Sequence, residues 1–288
     1  MKRLVYQLLL AIVLLAASWM WFNMFLHPRI TCKMLEEKSR YTVLIFGDSH
    51  GKTIQLPGSV NFSKDAEPIS VQHLTYRSVH PCFEKVQTIM IAVGPQNFSR
   101  TPIDRFESNR GNWHAFNTSR LAWLDTTVPW FEHIRWKSLV LGEFNLVPPV
   151  LDCDGFDATL STDLSEERLE KTLRRDQLES SEWFRHSSYT DLALMNWCNE
   201  ITESSARCFL IGTPLHSSYR DRIPHEGDSE YKKLMFGLDS LPQTTYVPLE
   251  NVSLPDSFFF DADHLNQSGV HWLADTLTAI LSLEKSGF

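Results

Sequence analysis

Four short runs of consecutive apolar residues constrain this chain more than any other feature: 42–46 (TVLIF), 87–93 (QTIMIAV), 207–212 (RCFLIG) and 244–249 (TTYVPL). A half-exposed strand alternates apolar and polar residues, because successive side chains point to opposite faces. These runs do not alternate. Each must be covered on both sides, the condition of a parallel sheet held between helical layers. A weaker run at 59–62 (SVNF) supplies a fifth strand.

Helical periodicity falls between the runs. Asp65, Glu67 and Pro68 open a segment whose apolar face is Ile69, Leu74, Tyr76 and Val79. Asp163 and Glu166 form a capping pair ahead of Leu164, Leu169, Leu173 and Leu178. Residues 189–204 and 268–283 give two more helices, the last apolar at Val270, Leu273, Leu277 and Ile280. Alternating strand and helix predicts an α/β fold, a three-layer α/β/α sandwich around a mostly parallel five-stranded sheet. At 288 residues and 43% hydrophobic content the chain can bury one full-sized core. One domain over residues 41–288 is therefore expected.

The N-terminus has a different character. Lys2 and Arg3 precede an apolar stretch over residues 4–26, broken only by Gln7, Ser18 and Asn23. About 20 such residues cross a bilayer, and cations before the span favour a cytoplasmic N-terminus. Residues 1–26 thus read as an uncleaved transmembrane anchor and 27–40 as a connector, with the main domain periplasmic or extracellular. The competing reading is a signal peptide cleaved near Ala16-Ala17-Ser18.

A net charge of -8, with no block of either sign, argues against a nucleic-acid groove. Cys32, Cys82, Cys153, Cys198 and Cys208 lack the paired spacing of a zinc site. Export would permit disulfides, and Cys198 and Cys208 are the nearest pair; buried free thiols are the alternative. At about residues 101–160 the rhythm breaks, with Trp113, Phe116, Trp123, Trp130, Phe131, Trp136 and Phe144 among polar residues. This is an aromatic-rich insertion, either a carbohydrate-stacking wall or lid, or a segment stapled down by its own aromatics.

Two motifs carry chemistry. Gly47-Asp48-Ser49-His50-Gly51 follows the first strand, at the sheet end where open α/β folds bind ligands. A serine in such a turn projects toward the cleft, with its own N–H available for an oxyanion. Near the C-terminus, Asp261 and His264 stand three apart on one loop. That spacing lets the carboxylate hold His264 Nδ1–H, so that Nε2 faces outward as a base. Together they predict a Ser49-His264-Asp261 triad.

At these residues the chain resembles the SGNH branch of the GDSL-like esterase and acyltransferase superfamily. Gly47-Asp48-Ser49 and Asp261-x-x-His264 match its two end motifs, and His264-Leu265-Asn266-x-x-Gly269 is similar to membrane-anchored members that modify cell-surface polymers. The resemblance implies a flavodoxin-like SGNH fold and an acyl-enzyme mechanism without a cofactor or metal. It implies an acylated carbohydrate or other acyl donor as substrate, with acetyl as the acyl group; it names no protein partner. It also implies oxyanion donors at Ser49 and at an Asn after the third strand. Here Asn97 stands in Val93-Gly94-Pro95-Gln96-Asn97, one residue longer than the usual Gly-x-Asn. The family's remaining donor is a Gly after the second strand; this chain has Asn61-Phe62-Ser63, where the Ser63 N–H would serve. His50 and Asn61 are further candidates for contact with substrate.

Two rival readings exist. In one, Asp48 and His50 open an Asp-x-His metal site of the metallophosphoesterase kind, but the further Gly-Asn-His and Gly-His-x-His blocks are missing. In the other, an SGNH-like fold without turnover binds glycans or assists their assembly.

Overall fold

The computed structural model describes residues 40–65, 67–99, 164–175 and 188–286, with isolated positions between 6 and 18. Five strands form one all-parallel sheet: β1 (Val43–Phe46), β2 (Ser59–Asn61), β3 (Thr88–Ala92), β4 (Arg207–Gly212) and β5 (Thr244–Pro248). Their spatial order is β2-β1-β3-β4-β5. Each expected strand is present, and its ends move by one residue at most.

The unbroken apolar runs have the explanation anticipated for them. Leu44, Phe46, Ile89, Ile91, Cys208 and Leu210 face one core, and Ile45, Met90, Ala92, Phe209 and Ile211 face another. The first core is closed by α1 (Ile69–Val79), α3 (Ser188–Glu203) and α5 (His225–Asp239), and the second by α6 (Gln267–Ser286). Helices thus cover both sides of the sheet. Trp197 of α3 is fully buried and packs edge-on against Phe46 at 5.3 Å between ring centres, with His73 stacked on it.

α2 (Glu166–Arg175) begins where expected, with the Ser165 hydroxyl accepting from the Arg168 N–H; Asp163 and Leu178 lie outside the described residues. Among the described residues two helices have no counterpart in the sequence pattern, the single turn α4 (Ser217–Arg220) and the 15-residue α5. Gly227 and Gly237 blur the α5 pattern, whose usable signal is Tyr231, Met235 and Leu238 at helical spacing. Cys198 and Cys208 are buried free thiols, whereas Cys82 is disulfide-bonded.

The start of α1 departs from expectation. Pro68 occupies its N-cap, and Glu67 turns inward, 2% exposed, with Lys64 Nζ 3.9 Å away. Burial raises its carboxyl to about 8. The unfolded carboxyl ionises near 4.5, so between these values the folded chain holds a proton that the unfolded chain has lost, and stability falls as pH rises. Glu67→Gln should abolish this slope. In urea unfolding it should gain up to about 3 kcal/mol on wild type between pH 5 and pH 8; parallel pH dependences would show that Glu67 ionises freely.

Among the described residues no helix is long and apolar enough to cross a membrane. Most of residues 1–26, the connector 27–39 and the insertion at 101–160 lie outside the description. The described positions between 6 and 18 are helical, and Tyr6, Leu10, Val13 and Leu14 are exposed there.

Candidate active site

The strand order reverses between β1 and β3, where an open parallel sheet leaves a crevice at its carboxyl edge. The turn after β1 and the loop after β3 both open into it. Gly47 begins the first turn because two backbones converge there: a Cβ would lie 2.8 Å from both the Ala92 Cβ and the Gly51 Cα. Any side chain there would force Ala92 or the turn at Gly51 to shift. Ser49 is part-exposed, and its N–H has no acceptor among the described residues.

The loop between β5 and α6 brings the other end of the chain to this turn. Phe259 and Leu265 form an antiparallel bridge, and Phe260 N–H donates to the His264 carbonyl at 2.9 Å, closing a tight loop. Asp261 Oδ1 accepts from the N–H groups of Asp263 (3.0 Å) and His264 (2.8 Å), which fixes its carboxylate. Asn266 donates to the Ser257 and Phe259 carbonyls and accepts from Gly269 N–H. In His264-Leu265-Asn266-x-x-Gly269, then, the asparagine and glycine shape the loop.

The three expected catalytic side chains meet. His264 Nε2 lies 2.8 Å from Ser49 Oγ, across 215 residues of sequence, and His264 Nδ1 lies 3.0 and 3.1 Å from the two Asp261 oxygens. Every gap is within hydrogen-bonding range. A second carboxylate stands there too: Asp263 Oδ1 is 2.9 Å from the same Nδ1. Burial alone disfavours the imidazolium, but Asp263 and Asp261 outweigh it and hold His264 well above the ordinary imidazole range.

His50, expected as a contact for substrate, is buried, with both ring nitrogens near carboxylates. Its Nδ1 lies 2.9 Å from Asp48 Oδ1, and its Nε2 lies 3.5 Å from Asp263 Oδ2. Its ring stacks on His264, 4.6 Å away at 12°. Burial pulls His50 down, yet Asp48 and Asp263 carry it up to about 9. The sequence reading missed Asp263 because an aspartate beside the triad acid has no distinguishing local signal.

Of the expected oxyanion donors, Asn97 is held in a 3-10 turn after β3, where its Oδ1 accepts from Gly94 N–H at 2.8 Å. Its Nδ2 gives one proton to Asp48 Oδ2 at 2.8 Å, and the amide carries a second. The Ser63 N–H is not available: it donates to Asn61 Oδ1 at 2.9 Å. Asn61 is likewise occupied, its Nδ2 donating to the Gly51 and Ile54 carbonyls, so this side chain holds the serine turn instead of facing ligand.

Among the described residues one group, His50, Asp263 and His264, brings three metal-type donor atoms within 4.8 Å of one another. Asp48, which the Asp-x-His reading requires as a ligand, is not in it and is bonded directly to His50. His216 caps α4 and faces Asp256 at 3.2 Å, and His225 opens α5 at the surface. Compared with known proteins, the chain matches no family model, and no curated protein matches it.

Proposed function

We propose that this chain is a membrane-anchored, SGNH-type serine esterase or O-acyltransferase with a flavodoxin-like fold, acting on acyl esters of a cell-surface glycan. The observation that carries the proposal is the hydrogen-bonded chain from Ser49 Oγ through His264 to Asp261. The strand order and the exposed apolar positions of the N-terminal helix support the fold and the anchor.

In this mechanism His264 Nε2 takes the Ser49 proton as Oγ attacks the acyl carbonyl. The oxyanion is met by the Ser49 N–H and the second Nδ2 proton of Asn97. Collapse expels the donor alcohol, which leaves with the proton from His264, and the acyl group stays on Ser49. Water or a sugar hydroxyl then attacks with His264 again as base. The acceptor decides between hydrolysis and transfer, and exclusion of water from the cleft favours transfer. Asn97→Ala should lower kcat about 10²- to 10³-fold with a small change in KM, measured on an aryl acetate.

The occupied Ser63 N–H favours one second reading, a glycan-binding protein that keeps the triad without turnover. Fluorophosphonate labelling and acetate release from aryl esters and acetylated glycans separate the two. Labelling and release in wild type, both lost in Ser49→Ala, support the enzyme; background in both proteins, with retained glycan binding, supports the binding protein.

A further inference from the structure

We propose that His50 and Asp263 are positioning residues that set the pH range over which His264 can accept the Ser49 proton. This rests on the hydrolase reading of the same site.

His264 Nδ1 has two carboxylates around it, Asp261 at 3.0 and 3.1 Å and Asp263 at 2.9 Å. A triad needs one. Two anions at this distance stabilise the imidazolium strongly, and a histidine held permanently protonated cannot act as a base. A compensating cation must therefore stand close by, and His50 has that position. Its ring lies parallel to His264 at 4.6 Å, with its two nitrogens directed at Asp48 and Asp263. His50 and Asp263 are 5% and 2% exposed, so solvent and salt screen their charges weakly.

Charges alternate along the resulting path: Asp48, His50, Asp263, His264, Asp261. The groups facing His50 are Asp48 from its own turn and Asp263 and His264 from the loop before α6. Those facing His264 are Asp261, Asp263, His50 and the Ser49 hydroxyl. Glu67 senses Asp48 from the start of α1, paired there with Lys64. From α2, Arg168 reaches this loop through the Phe260 carbonyl at 3.0 Å.

The two residues act on His264 in opposite directions. Asp263 stabilises its charged form, while a cationic His50 destabilises it. Removing each should move the pH dependence oppositely, which a merely structural role would not do.

The test is the rate of fluorophosphonate labelling at Ser49 against pH, together with NMR titration of the His264 ring, in wild type, His50→Gln and Asp263→Asn. In His50→Gln the acidic limb and the His264 titration should both move up by about one pH unit or more, and in Asp263→Asn both should move down by a similar amount. Shifts in the same direction, or none, overturn the proposal. If either variant fails to fold, the direction in the other decides. Wild type that is never labelled sinks the hydrolase reading, while the NMR titration still passes judgement on the charge pair.

Discussion

Ser49→Ala should lower turnover of an aryl acetate by roughly a million-fold, to the level that binding and the oxyanion donors sustain alone. The expectation follows from geometry. Ser49 Oγ lies 2.8 Å from His264 Nε2, and the glycine before Asp48 brings that turn against Ala92. Among the described residues no neighbouring hydroxyl is placed to substitute: the Thr53 hydroxyl donates to the His50 carbonyl, and Ser63 Oγ sits against Gly51. Alanine removes only the oxygen, so the melting temperature should hardly change. Steady-state kinetics on wild type and variant, with thermal melts of both, make the measurement. A loss below about tenfold in a fully active preparation would remove Ser49 from the chemistry.

The second large effect concerns Asp261. Its Oδ1 holds two backbone N–H groups as well as His264 Nδ1, so it fixes both the loop and the tautomer of the base. Asp261→Asn keeps the size but offers an amide where the imidazole needs an anion, a change that costs about 10⁴-fold in a serine triad. Asp263 Oδ1, 2.9 Å from the same nitrogen, can retain part of that orientation. The expected loss is therefore about 10³- to 10⁴-fold, with the double variant Asp261→Asn/Asp263→Asn falling further. If Asp261→Asn lost less than tenfold and Asp263→Asn lost the larger factor, the orienting acid would be Asp263.

Backbone architecture and the pairing of Asp261 with His264 were legible early, for one physical reason. Strand burial is written as consecutive apolar residues, and the Asp261 to His264 contact spans only three residues, so both are local signals. Even α5 carries a readable trace, Tyr231, Met235 and Leu238, although two glycines dilute it. Polar assignments were less legible. Asn61 and Ser63 suit ligand contact by residue type, yet in the fold Asn61 spends its amide on the Gly51 and Ile54 carbonyls and its oxygen on the Ser63 N–H.

By itself, then, the sequence determined the α/β class and the strands of a buried parallel sheet, and it singled out Ser49, Asp261 and His264 as candidates. The tertiary structure alone decided which polar groups meet. It set Ser49 against His264 across 215 residues, turned Glu67 inward, and stacked His50 on His264 with Asp263 beside both. Local patterning records whether a residue is to be buried, because hydrophobic burial is non-directional and depends on period alone. Hydrogen bonds and ion pairs act over about 3 to 4 Å with defined angles. Their partners are chosen only when strand order and loop closure bring distant segments to the same edge of the sheet.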